Sequence, residues 1–186
     1  ERPSWPILGT LLFGGGAFVG WLTYSHVQTR VSAWLDPFSN WDDNYQIIQG
    51  QFGMAWGGLF GTGLGLGLPN LTPLAKNDFI AAALGEELGV AGLMAIIVLY
   101  GVIAMRGLRT ALTAREPFSK LVAAGLSFVF ALQVFAIIGG VTRLLPLTGL
   151  TTPFISQGGS SPIANYAMIA LLMVVTHQVR RPATAA

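Results

Sequence analysis

Cysteine is absent from the 186 residues, which excludes disulfides, thiolate zinc sites and a cysteine nucleophile and leaves the redox compartment open. Charge is also scarce. Asp, Glu, Lys and Arg together make up 10% of the chain, against about 25% in ordinary soluble domains, too little to cover a water-exposed surface. The only two histidines, His26 and His177, cannot build a metal cluster by themselves. A net charge of +2 is too small to point to nucleic acid as a partner. No signal-peptide pattern opens the chain, because Arg2 is followed by a long apolar stretch with no small-residue cleavage site close behind. The first residue is Glu1 rather than methionine, which points to a processed product or a piece of a longer protein.

In place of charge there is apolar surface. Hydrophobic residues are 53% of the chain and the mean hydropathy is +0.62. The pattern predicts an all-α polytopic membrane bundle with four spans, at about residues 6–26, 79–105, 121–142 and 161–176. Pro162 suits a first helical turn with Ser161 as its cap, so the last span is expected to start at Ser160 or Ser161. Four spans place Arg2, Arg106, Arg109, Arg115, Lys120, Arg180 and Arg181 on one face and Arg30, Lys76 and Arg143 on the other. The positive-inside rule assigns the richer face to the cytoplasm, the short loop from Arg106 to Lys120 weighing most. His26 and His177 then lie on opposite sides.

A large outer loop covers about residues 27–77. Within it Asp43 to Gly58 reads as an interfacial amphipathic helix with Tyr45, Ile48, Phe52 and Ala55 on one stripe. Trp34, Trp41 and Trp56 suit an aromatic belt. Gly57 to Pro69 carries six glycines. Its spacing and context do not fit a dinucleotide fingerprint, leaving a flexible or closely packed loop, or a backbone cradle for phosphate.

Asp78 stands where the outer loop meets the second span. One reading makes it the N-cap of that helix. The other makes it a base: Lys76 is two residues away, and a carboxylate partly withdrawn from water has a raised pKa. Glu86 and Glu87 fall inside the predicted span, where an ionisable group marks function unless it is paired. On a straight helix Glu86 would lie about 80° around from Asp78 and about 12 Å deeper, able to line the same cavity, with Glu87 pointing away. Asp36, Asp42 and Asp43 suit a solvated turn or a cation site. Arg143, at the outer end of the third span, suits a phosphate partner or snorkelling to headgroups. The segment Pro153 to Ser161 is small and polar, and the amides that open the following helix attract anions such as diphosphate, with Ser160 and Ser161 at that point.

These segments, in order, resemble the C-terminal part of the SEDS family of bacterial membrane proteins, which includes RodA and FtsW. The resemblance rests on Trp34-Leu35-Asp36-Pro37 with Tyr45-Gln46, the glycine run from Gly57 to Gly67, Asp78-Phe79-Ile80 leading into Gly85-Glu86-Glu87-Leu88-Gly89, Pro146 to Gly149, and Ile155 to Ser161. It departs from the pattern at Gln157, where the family usually has Tyr. Thr148, where some division-type members have Lys, favours the RodA-like branch. The resemblance implies a peptidoglycan glycosyltransferase that polymerises lipid II on the outer face of the bacterial cytoplasmic membrane, for elongation or division. It implies Asp78 as the catalytic base, with Lys76, Glu86, Arg143, Ser160 and Ser161 as candidate substrate contacts. It also implies dependence on a divalent cation, Mg²⁺ or Mn²⁺, and a class B penicillin-binding protein as partner. A flippase for the lipid-linked precursor and a non-catalytic scaffold are the rival readings. Family members have about ten spans and this chain shows four, so these 186 residues alone are expected not to polymerise purified lipid II. Glycan product made by the isolated chain would overturn that expectation.

Overall fold

The computed structural model describes residues 4–180 apart from 69, 70 and 74, with the side chains of residues 4–6 left aside. Arg2 and Arg181, two of the seven cations assigned to one face, and Pro69 lie outside the described residues. Six α-helices and no strand occur among the described residues: α1 (Ser4–Thr23), α2 (Ser25–Leu35), α3 (Trp41–Gly57), α4 (Ile80–Thr113), α5 (Pro117–Val141) and α6 (Ser161–Arg180). Helices α4, α5 and α6 are long and apolar enough to cross a membrane, and α1 with α2 makes a fourth candidate if that bent pair counts as one. The all-α membrane architecture is therefore as expected, while its boundaries differ in instructive ways.

The first span ends at Thr23, not at residue 26. The chain breaks at Tyr24 and α2 leaves at 99° to α1, so the outer region begins with a helix. The cationic loop from Arg106 to Lys120 is mostly helical. Arg106 and Arg109 ride the last turns of α4, Lys120 the first turn of α5, and only Ala114–Glu116 connect them. Pro117 at the first position of α5 makes so short a connection possible, since its missing N–H would have no helical partner there.

Helix α4 has 34 residues, about 51 Å if straight, well over the roughly 30 Å of a bilayer core. It is not straight. Gly89, at φ 70° and ψ −176°, breaks it. The stretch 90–113 is then about 36 Å long and crosses by itself. The stretch 80–88 folds back on the bundle: a Cβ on Gly85 would stand 3.8 Å from Cδ2 of Leu93, closer than eight residues of straight helix allow. Glu86 and Glu87 therefore sit ahead of the crossing segment rather than deep within it.

A break in a helix frees backbone groups that an apolar setting cannot solvate. The glycine-rich segment after α3 takes them up. The carbonyls of Glu86 and Glu87, which an unbroken helix would pair with Val90 and Ala91, accept from Thr62 N (3.0 Å) and Gly63 N (3.0 Å). The freed amides of Val90 and Ala91 donate to the Gly58 and Leu59 carbonyls, both at 3.0 Å. Two helical bonds are exchanged for four to the loop. The backbones approach so closely that a Cβ on Gly61 would meet Glu87 O at 2.1 Å, and one on Gly89 would meet Gly61 N at 2.3 Å. Of the two loop readings, close packing is the one found.

Helix α3 is also used differently from its amphipathic reading. Ile48 is buried but Phe52 and Ala55 face outward, so the predicted stripe is not one face. The packed face runs through Gly50, Gly53 and Gly57, where added Cβ atoms would strike Phe79, Glu86 and the Gly85 carbonyl. Small residues let α3 lie directly on the start of α4, as in close helix pairs within membranes. Trp56 is 80% exposed and suits a belt, and Trp41 is exposed beside Phe38 and Phe52. Trp34 instead donates its Nε1–H to the Arg143 carbonyl (2.9 Å).

Gly89→Ala and Gly61→Ala should each destabilise the fold by roughly 1–3 kcal/mol, since a side chain there meets backbone at a positive φ. Gly101→Ala, where an added Cβ meets nothing within 4 Å, should be neutral. Thermal melting of the purified variants checks this, and equal melting temperatures for all three would contradict it.

Candidate functional site

The segment before α4 is held from two sides. Phe79, only 1% exposed, is the N-cap residue of α4 and lies under α3, its ring where a Gly50 side chain would otherwise be. On the other side, Gln157 N donates to the Lys76 carbonyl (2.8 Å) and Ser156 Oγ donates to the Asn77 carbonyl (2.6 Å). Gln46 Nε2 reaches the Pro73 carbonyl (2.8 Å) from α3. Asp78 sits between these anchors on a fixed backbone.

Its carboxylate is not a cap. The helix has no side-chain cap bond, and Asp78 accepts no hydrogen bond among the described residues. This settles the N-cap reading against it. The carboxylate instead faces the segment Leu147–Gly149 and the guanidinium of Arg30. A Cβ on Gly149, whose φ is +70°, would lie 3.3 Å from Arg30 Nη2 and 3.8 Å from Asp78 Oδ2. Only a residue without a side chain leaves that space between acid and base open. Partial burial pushes the Asp78 carboxyl above its usual 3.8, and the positive charge of Arg30 pulls it part of the way back.

Arg30 is the residue the sequence reading missed. It appeared there only as one of three cations on the outer face. In the fold α2 carries it across to α5's exit, where Nη1 donates to the carbonyls of Thr148 (2.9 Å) and Leu147 (3.3 Å). No local pattern marks a contact 118 residues away. The only available signal was an arginine on the short helical stretch directly after a span.

The other predicted residues divide. Lys76 is exposed two residues from Asp78, its carbonyl tied to Gln157. Ser160 is exposed just ahead of α6, and its hydroxyl has no partner among the described residues. Helix α6 does begin at Ser161, but the Ser161 hydroxyl is taken by Thr151 Oγ1 and Asn165 Nδ2. Arg143 is committed to α2: its Nη2 donates to the Trp34 carbonyl (2.8 Å) while Trp34 returns a bond to the Arg143 carbonyl. It pins α2 to the end of α5 and so fixes Arg30. Glu86 is 7% exposed and turned to the glycine-rich segment, where Oε1 accepts from Leu68 N (2.7 Å). Its carboxylate also lies against Gly53 of α3 and Gly67, so it serves to pack these segments together; the break at Gly89 follows both Asp78 and Glu86 and does not alter their spacing. Asp36 Oδ1 accepts from Phe38 N (3.1 Å), and Asp43 accepts from Asn40, so both serve turns.

The segment 151–158 is itself anchored to the bundle. Tyr100 on α4 donates to the Pro153 carbonyl (2.7 Å), Gln133 on α5 donates to the Thr151 carbonyl (3.3 Å), and Phe154 packs between Phe130 and Tyr166. The Pro146–Gly149 and Ile155–Ser161 motifs thus converge on the Asp78 turn from opposite sides. A divalent cation finds little to hold it here. No three of His, Asp or Glu converge among the described residues, and the one open carboxylate stands beside a guanidinium. The residues present do not fit the ion.

Residues 3–181 match the family profile of FtsW, RodA and SpoVE, described as a cell cycle protein. The chain is 54% identical over 98% of its length to the peptidoglycan glycosyltransferase RodA of Mycobacterium tuberculosis strain H37Rv, covering 39% of that protein. It is 38% identical over 81% of its length to the probable peptidoglycan glycosyltransferase FtsW of Geobacter metallireducens, covering 41% of it. Among solved structures, a chain from a study of the coordination of polymerization and crosslinking by a peptidoglycan synthase complex superposes with a TM-score of 0.74 at 26% identity, over 96% of this chain and 51% of that one. The chain therefore spans about two fifths of the curated relatives it matches, and across nearly all of its own length it belongs to the FtsW, RodA and SpoVE family.

Proposed function

We propose that this chain supplies the catalytic acid–base centre of a peptidoglycan glycosyltransferase that polymerises lipid II at the outer face of the bacterial cytoplasmic membrane. The observation that carries the reading is the state of Asp78: partly buried, without a hydrogen bond among the described residues and facing Arg30 across the opening at Gly149. A carboxylate so held is a general base without a competing proton donor. In the proposed step Asp78 takes the proton from the 4-hydroxyl of the acceptor N-acetylglucosamine. The freed oxygen bonds to the anomeric carbon of the donor, and the bond from that carbon to the diphosphate breaks. The electron pair leaves with undecaprenyl diphosphate. Arg30 keeps Asp78 ionised before the reaction and, with the exposed Lys76, offers positive charge to the departing diphosphate. Ser160, also unpartnered, is the remaining candidate contact for that group. The Mg²⁺ or Mn²⁺ dependence implied by resemblance is kept as a proposal for the longer protein, and no step is routed through it here.

A class B penicillin-binding protein is the proposed partner, because the structural neighbour comes from a complex that couples polymerization to crosslinking. The flippase reading rested on Glu86 within a span and on the large outer loop. Glu86 is instead fixed on the Leu68 amide ahead of the crossing stretch.

In the full-length protein, Asp78→Asn should lower lipid II polymerisation by about 10²–10⁴-fold while leaving lipid II binding intact. The amide keeps the size of the side chain and removes only the base. Polymerisation near the wild-type rate would exclude the role.

The pH dependence follows from the raised pKa. The base works deprotonated, so the rate falls as pH drops through the Asp78 pKa, and that acid limb should lie above 3.8. Arg30→Gln removes the positive charge that lowers the pKa and should move the limb to higher pH, whereas Arg30→Lys should leave it nearly in place. A limb that moves to lower pH in Arg30→Gln would contradict the assignment.

A further inference from the structure

At the end of the bundle far from Asp78, the ends of α4 and α6 and the start of α5 enclose a cavity of about 1480 Å³. Its floor is set by close packing. A Cβ on Gly107 would collide with Ser127 Oγ and Leu172, and Thr110 Oγ1 meets Thr176 Oγ1 at 3.1 Å. Apolar side chains, Ile103 and Ile169 among them, also line the cavity. The rim is cationic: Arg106, Arg109, Arg115 and Arg180 all line the cavity and all are exposed. Glu116 is the one carboxylate in the lining, and its Oε2 accepts from Ser119 Oγ (3.2 Å) at the start of α5. His177 also lines it. None of the four arginine side chains has a hydrogen-bond or ion-pair partner among the described residues.

The volume exceeds the roughly 300–1,000 Å³ of ordinary small-molecule sites. Four like charges round one opening repel each other unless an anion joins them. An occupant matched to both parts has an anionic head and an apolar body that continues into the bilayer. Basic pockets between helix ends at a membrane surface suit phospholipid headgroups. From this charge complementarity we infer that the cavity binds one anionic phospholipid of the leaflet opposite Asp78. Its phosphate would lie among Arg106, Arg109, Arg115 and Arg180 and an acyl chain against Ile103 and Ile169. The bound lipid would offset part of the positive charge of the arginine cluster and hold α4 to α6. Nothing in this inference depends on Asp78 or on glycosyl transfer.

The test is native mass spectrometry of the full-length protein released from vesicles of phosphatidylglycerol and phosphatidylcholine in equal amounts. One phosphatidylglycerol should remain bound in preference to phosphatidylcholine. The double variant Arg106→Gln, Arg109→Gln should weaken its retention by about thirtyfold, while Arg106→Lys, Arg109→Lys should keep most of it. The melting temperature of lipid-free protein reports whether either variant fails to fold, and the lysine pair keeps the test decisive if the glutamine pair does. Equal retention of phosphatidylcholine would overturn the proposal, as would unchanged retention in the glutamine pair. Displacement by inorganic phosphate would mark a phosphate site without a lipid component. Preferential uptake of undecaprenyl phosphate would assign the cavity to the carrier lipid. Retention of no lipid at all would mean another protein segment fills it. Each of these three outcomes also rejects the phospholipid.

Discussion

The structure depends on an exchange of backbone hydrogen bonds at Gly89. Helix α4 gives up the two bonds that would cross the break, and the segment from Gly58 to Gly63 replaces them with four. Without that segment the freed carbonyls of Glu86 and Glu87 and the amides of Val90 and Ala91 would face an environment poor in water, at a cost large enough to favour a straight helix. Because the exchange holds, the stretch 80–88 turns back on the bundle and carries Asp78 to the exits of α2 and α5. The glycines at 57, 61 and 89 are where two backbones come closer than any Cβ permits.

The site assembles from parts that do little alone. Arg143 and Trp34 exchange bonds and fix α2 against the end of α5. This sets Arg30, which braces the Leu147–Gly149 segment and places its charge by Asp78. Ser156 and Gln157 brace the Asp78 turn from behind. Of the polar groups singled out beforehand, most turn out to be spent on such positioning. Around the Asp78 turn, those left with open valence among the described residues are the carboxylate of Asp78, the ammonium of Lys76 and the hydroxyl of Ser160. The proposed reaction draws on those three and on Arg30.

Much of the architecture was legible from apolar runs, because a bilayer demands long uncharged helices and little else produces them. The start of α6 at Ser161 was legible from Pro162 and its flanking serines. The position of Asp78 was legible too, though its freedom from capping was not, since an acid before a helix looks the same whether or not it bonds the first turn. The break in α4 was not legible: Glu86 and Glu87 interrupt the apolar run just before Gly89, but tertiary pairing alone decides that the glycine adopts a positive φ. Nor did the sequence show that Glu86 would be taken up by the outer loop, where it accepts from Leu68 N. Arg30 was hidden for the same reason, because its partners come from the far end of the chain.

Amide hydrogen exchange at Thr62, Gly63, Val90 and Ala91 tests the exchange of bonds most directly. The account predicts slow exchange at all four, comparable to amides in the middle of α5, because each donates to a backbone carbonyl across the break. Fast exchange at Thr62 and Gly63, with Val90 and Ala91 protected as in a continuous helix, would show that the glycine-rich segment does not hold the break and that Asp78 is placed by something else.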